Sequence, residues 1–286
     1  MRTHTSALSR PAETPGRALA WLVALAVALG AGFVLAPGRL AANGSEGAFS
    51  GRHGLVDALR PAFIAYWRSG DRRFPPDLQR VVDYWYRFHV VKGVLAVALL
   101  IVLVALGTLL WKAFLRSGGP RGRLALASAA AFTSALALVA LAAVMANVQG
   151  ALAPFSSVTS MLPLGTPGGP LAGAVGEIRQ GLAHYPDTNG RNTAALRVMV
   201  DDFGRYHAVL AVLASVVAVV LAGLSVTAWR GFAKVDGADG RTRRTMAWFG
   251  VLSALLGLAL IVVAVANTGT AADPAPALLG FYEGGW

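Results

Sequence analysis

A chain of 286 residues has room for about two soluble domains, yet 56% of this one is hydrophobic and only 14% is charged, against roughly 25% charged residues in soluble globular chains. Uninterrupted apolar runs of about 18 residues or more define instead an all-α integral membrane protein. The net charge of +11 can accompany nucleic-acid binding, but most of this chain is expected in lipid, and 22 of its 25 basic residues are arginine in an Ala- and Gly-rich background; no nucleic-acid partner is read from it. The absence of cysteine excludes disulfides, thiolate metal sites, iron–sulfur clusters and a cysteine nucleophile.

Residues 1–17 set Arg2, Arg10 and Arg17 against one acid, Glu13, and contain Pro11 and Pro15; they read as a cytoplasmic tail without helix. Residues 18–36 hold the first apolar run, Ala18 to Leu35. It can be a signal peptide cut near Ala41-Ala42, but signal cores run about 7–15 residues, and the length here favours an uncleaved anchor. Within it Ala26 and Gly30 form a small-residue pair that lets another helix approach.

The polar stretch from Pro37 to Phe88 opens with a loop-like segment, Gly44 to Gly54. Leu55, Leu59, Phe63 and Trp67 then form a helical stripe. Arg68 to Pro76 interrupts it, and Asp77 is a candidate cap for a helix running through Val81, Val82, Trp85 and His89 into the second span, Val90 to Leu110. The tyrosines and tryptophans here suit a membrane interface. The link Trp111 to Arg123 carries Lys112, Arg116, Arg121 and Arg123 and no acid. Leu124 to Ala146 is the third span, followed by Asn147 and Gln149. Residues 152–173 read as a Pro/Gly-rich linker, and the GTPGG beginning at Gly165 lacks the lysine of a phosphate-binding loop. Val175 to Tyr185 predicts a second outer helix, Asn192 or Thr193 can cap the helix that becomes the fourth span, Ala208 to Ala228, and Arg230, Lys234, Arg241, Arg243 and Arg244 fill the next link. Met246 to Ala266 is the fifth span, with Gly250 and Ala254 as a further small pair; Asn267 follows, and 272–286 reads as an extracytoplasmic tail.

The chain reads as a tandem duplication, residues 55–151 and 174–271. Asp83, Arg87 and His89 align with Asp201, Arg205 and His207; Trp111-Lys112-Ala113-Phe114 aligns with Trp229-Arg230-Gly231-Phe232; Ala146-Asn147 aligns with Ala266-Asn267. Each unit is an outer amphipathic helix, a span, a basic link and a returning span. Two spans per unit give both units one orientation, as parallel repeats about an axis along the membrane normal. The expected fold is therefore five transmembrane helices: one amino-terminal anchor and two parallel-repeat hairpins capped by short extracytoplasmic helices. Short basic loops stay in the cytoplasm, which places the amino terminus and both links inside, and the long loops and carboxyl terminus outside, of a plasma membrane.

The candidate ligand-binding residues are Arg87, His89, Arg205, His207, Lys92, Asn147 and Asn267, with Asp83 and Asp201 as supporting ion-pair partners four residues before each arginine. His89 and His207 can be interfacial packing residues, donors with the arginines to an anionic group, or paired axial ligands of one b-type haem. Lys92 can snorkel from the end of its span; its counterpart is Leu210. Asn147 and Asn267 can end their helices or line an outer pocket. No HExxH or GxSxG occurs, and Asp201-Asp202 with His207 lacks helical metal spacing, so neither a metal site nor an ordinary enzyme site is read. Two functional readings follow: a non-catalytic membrane subunit or scaffold that binds lipid, other membrane subunits or a second copy through its outer face, and a haem or anionic-ligand module built on the paired histidines and arginines. Tags placed in the two basic links are expected to be cytoplasmic; tags found outside the cell overturn this topology.

Overall fold

The computed structural model describes residues 15–42, 49–165, 168–186 and 193–284. Most of the tail at 1–17, the loop residues 43–48, the centre of the GTPGG segment, Asn192 and the final two residues lie outside the described residues. All regular structure among the described residues is helical. Ten helices follow one another among the described residues: α1 (Pro15–Leu35), α2 (Pro37–Ala41), α3 (Gly51–Ser69), α4 (Pro76–Arg116), α5 (Pro120–Leu152), α6 (Pro154–Thr159), α7 (Gly169–Ala183), α8 (Ala194–Lys234), α9 (Gly240–Ala272) and α10 (Pro274–Glu283).

Five of these helices, α1, α4, α5, α8 and α9, are long and apolar enough to cross a membrane. Their apolar side chains point outward as well as inward. Ile101 of α4, Val219 of α8 and Val262 of α9 are each more than 60% exposed, which is stable only in an apolar solvent. α4 pairs with α5 and α8 with α9; α1 lies against α4, and α5 also lies against α8.

α4 and α8 are each 41 residues long, about 60 Å at 1.5 Å per residue and twice the thickness of a hydrocarbon core. Their amino-terminal halves therefore rise beyond the spans, and the rest of the chain packs around them. Leu59, Phe63 and Tyr66 of α3, Leu78 and Val81 of α4, Phe155 and Val158 of α6, Ile178 of α7, Leu196 of α8, and Leu278 and Tyr282 of α10 are all buried in one continuous core. This helical cap draws on both halves of the chain. Phe155 is its aromatic centre, with ring centroids of Phe74, Tyr66 and Phe63 at 4.7, 5.7 and 6.5 Å. Burial, with the Asp202 carboxylate as a smaller cause, pushes the Tyr66 phenol up to about 12, and burial raises that of Tyr282 further.

Polar ties fix the cap. Trp67 Nε1 donates to Glu177 Oε2 at 2.7 Å, joining α3 to α7. Arg179 donates through Nε to the Tyr282 carbonyl at 2.7 Å, joining α7 to α10. Asp202 of α8 accepts from the Ser156 amide at 2.8 Å, holding the start of α6. Gly70 ends α3 with φ of 65°, a left-handed turn that favours glycine.

The structure departs from the sequence expectations in local ways. Asp77 is not the cap of α4: Pro75 occupies that position, and Asp77 sits in the first turn, paired with Arg80 at 3.0 Å. Thr193 does cap α8, accepting from the Leu196 amide at 3.2 Å. The linker region 152–173 contains α6 and the start of α7, and the tail 272–286 contains α10. Both helices start at a proline that follows a short helix-breaking step, a signal that also reads as loop when the neighbouring apolar partner is unknown.

Phe155→Ala is expected to lower stability in detergent by about 3–5 kcal/mol, the usual cost of emptying a buried aromatic site, whereas Ile261→Ala on the lipid-facing side of α9 should cost far less. Denaturant titration of the two variants checks this.

Candidate functional site

The candidate residues sort into two clusters, one in each hairpin, at the ends nearest the helical cap. In the first hairpin, His89 of α4 meets Asn147 of α5, Nδ1 to Oδ1 at 2.9 Å. The asparagine amide nitrogen donates to the Ala143 carbonyl at 2.7 Å, so its oxygen is the acceptor and His89 carries the proton on Nδ1. That leaves a lone pair on Nε2 of the neutral ring. Ser157 Oγ lies 3.4 Å from it, and the Trp85 indole donates to the same hydroxyl at 3.0 Å. The serine proton is thus free to point at His89. The chain Trp85–Ser157–His89–Asn147–Ala143 satisfies both ring nitrogens. The ring lies over Gly150, where an added Cβ would stand 2.6 Å from Nε2.

The second hairpin repeats half of this arrangement. His207 of α8 meets Asn267 of α9, Nδ1 to Oδ1 at 2.7 Å, and the Asn267 amide nitrogen donates to Val263 at 2.8 Å. The tautomer is the same. The other side differs. In the sequence alignment Trp85 becomes Phe203 and Gly150 becomes Thr270, and the register of Asn147 and Asn267, carried past the ends of the repeats, sets Ala277 where the first hairpin has Ser157. His207 Nε2 is buried without a hydrogen-bond partner among the described residues. Phe203 stacks edge-on against the ring, centroids 4.6 Å apart. His207, Asn267, Phe203, Ala277 and Thr270 line an open cavity of about 540 Å³ together with Gln149, Tyr206, Leu210 and Phe281. Gln149 is fixed there by its bond to the Tyr206 carbonyl at 3.1 Å. A smaller cavity of about 320 Å³ shares Phe203, Tyr206 and Phe281 as walls.

The remaining candidates do structural work. Arg87 Nε donates to the Ala41 carbonyl at 2.9 Å, capping the end of α2. Asp83 accepts instead from Gln79 at 2.7 Å, and no ion pair joins it to Arg87 among the described residues. Arg205 approaches Asp202 at 3.8 Å rather than Asp201, and is 62% exposed. The expected acid–arginine pairs four residues apart are therefore not formed among the described residues; Asp83, Arg87 and Arg205 each find a different partner. Lys92 lies over the Phe33 ring at 4.4 Å, a cation–π contact that ties α4 to the anchor helix α1. His89 does not line the His207 cavity, and each ring is hydrogen-bonded within its own hairpin, so the structure does not bring the two together. No group of three or more metal-binding side chains occurs among the described residues.

Sequence reasoning found the histidines and asparagines but missed Ser157, Trp85, Gly150, Phe203, Thr270 and Ala277. The signal was present as differences between aligned positions. It becomes legible only when the ring contacts are known.

No family model, no curated protein and no solved structure matches this chain.

Gly150→Ala is expected to force the His89 ring off Asn147 and Ser157 and cost about 1–3 kcal/mol, as overpacking does. Gly269→Ala, whose Cβ meets nothing within 4 Å, should be neutral or slightly stabilising. Thermal melting of the two variants in detergent separates these outcomes.

Proposed function

We propose that this chain is a non-catalytic multi-pass protein of the plasma membrane, built from an anchor and two duplicated hairpins, that binds a lipid-soluble molecule at the outer rim of its second hairpin. The equal lengths of α4 and α8, 41 residues, and of α5 and α9, 33 residues, support the duplication. The orphaned Nε2 of His207 beside an apolar cavity carries the binding reading. A buried polar atom without a partner costs free energy, and the first hairpin spends Trp85 and Ser157 on avoiding that cost. The second replaces both with apolar residues and keeps the histidine.

The cavity volume lies within the range of small-molecule sites. Its walls are mostly aromatic and aliphatic, and the buried side-chain atom beside it that lacks a partner among the described residues is an acceptor, His207 Nε2. The ligand class that complements it is an apolar molecule with one hydrogen-bond donor, such as a long-chain or isoprenoid alcohol, entering from the outer leaflet. The placement of the two histidines in separate hairpins gives no support to a shared haem, and the arginines, engaged elsewhere or exposed, give none to an anion between them.

Farnesol and its methyl ether are suitable probes, since they differ by the donor alone. The alcohol is expected to bind roughly fivefold tighter, as one net hydrogen bond of about 1 kcal/mol implies, read as a shift in melting temperature against ligand concentration. The double variant His207→Leu/Asn267→Leu, which removes both partners together, should abolish the preference, and His89→Leu should retain it. Equal affinity for alcohol and ether, or a preference that survives loss of His207, overturns the reading.

A further inference from the structure

We infer a second, separate lipid site at the opposite end of the molecule: a groove between α5, the end of α4 and the start of α9 that takes an anionic phospholipid. It rests on none of the outer-cavity argument. The groove has a volume of about 820 Å³. Arg123, Arg241 and Arg244 stand at one end, and Trp111, Leu138 and Leu252 are among its apolar walls. No acidic residue lines it.

The three arginines are not equivalent. Arg241 Nη1 is taken up by the carbonyls at the end of α4, with Leu115 at 3.2 Å and Ser117 at 2.9 Å. It holds the floor where the two hairpins meet. Arg123 spends only Nε, on the Gly119 carbonyl at 3.3 Å. Arg244 makes no hydrogen bond or ion pair among the described residues and is exposed. The nearest acids in the sequence are used locally: Asp239 accepts from the Thr242 amide at 3.1 Å and Asp236 from the Ala238 amide at 3.0 Å. Two guanidinium groups with free donors therefore face a site without a counter-charge.

Geometry selects a lipid rather than a free anion. From Arg244 to Leu252 is eight residues of α9, about 12 Å of helix axis, and Leu252 is 50% exposed. The groove thus runs from a basic end, at the depth where the spans meet their polar links, into the apolar zone beside exposed hydrocarbon-facing side chains. A phosphodiester fits the arginine forks while an acyl chain lies along Trp111, Leu138 and Leu252. Past Arg123 and Arg241 the groove opens onto a shallow surface depression that Leu124 and Pro120 also line. The basic links mark this end as cytoplasmic by the positive-inside rule, the side on which anionic lipids and basic pockets between helices meet.

The test is reconstitution of the whole chain in nanodiscs of phosphatidylcholine with a minor fraction of phosphatidylglycerol, followed by native mass spectrometry of retained lipid. Phosphatidylglycerol is expected to be enriched over its bulk fraction by roughly 10-fold or more, as two basic side chains near a membrane surface imply. Arg123→Gln/Arg244→Gln should remove the enrichment, and Arg116→Gln/Arg121→Gln, which alters the same basic end outside the groove, should leave it. Leu252→Trp, which fills the apolar wall without changing charge, should reduce it as well. Equal loss with both arginine pairs, no effect of Leu252→Trp, or equal stabilisation by inorganic phosphate in detergent overturns the site.

Discussion

One hydrogen bond, made twice, organises the cap end of both hairpins: a histidine Nδ1–H on the first helix of each given to an asparagine side-chain oxygen on the second. A polar pair between apolar helices has no water to fall back on, so it fixes the rotation and height of one helix against the other. It also fixes the tautomer, because each asparagine has already committed its amide nitrogen to its own helix. The difference between the two hairpins at this site concerns the other ring nitrogen. His89 is completed by Ser157, itself held by Trp85. His207 is left open.

Two solvents divide the labour of the structure. In the spans, apolar side chains face outward and the helices need small or well-shaped surfaces to approach; Trp229 lies over Gly250 so closely that an added Cβ would stand 2.8 Å from its indole nitrogen. Above the spans the solvent is water, and the hydrophobic effect can build a conventional core. That core joins α3 and α7 to the risers α4 and α8 and is closed by α6 and α10. The cap is thereby the element that locks the two hairpins together at one end, while Arg241 bridges them at the other. The two ends carry differently lined cavities: an unpartnered histidine nitrogen among apolar side chains at the cap end, and arginines beside apolar and aromatic walls at the other.

Much of this was legible in the residues. Five apolar runs, the stripe Leu55, Leu59, Phe63 and Trp67, and the basic links each follow from periodicity and charge. The pairing of His89 with Asn147 was not, because the two are 58 residues apart and asparagine at the end of a span reads equally well as a helix stop. The ion pairs expected from Asp83 and Asp201 failed for a local reason: Gln79 and Asp202 offer competing partners one turn away. The helices α6 and α10 were hidden because both lie in Pro-rich stretches, and what stabilises them, Phe155 and Tyr282 in a shared core, comes from tertiary contact rather than from propensity. The contrast between Ser157 and Ala277 carries the functional reading, and because both lie just past the repeated units, aligning the units alone could not have shown it.

Both histidines hold their proton on Nδ1, while only His89 has a partner for Nε2 among the described residues. Nitrogen-15 spectra of histidine-labelled protein in detergent, assigned with His89→Leu and His207→Leu, read this directly. The account predicts two rings protonated on Nδ1, with the Nε2 resonance of His207 at the position of a free lone pair and that of His89 displaced by its hydrogen bond to serine. Indistinguishable Nε2 resonances, or a proton on Nε2 of either ring, would contradict it.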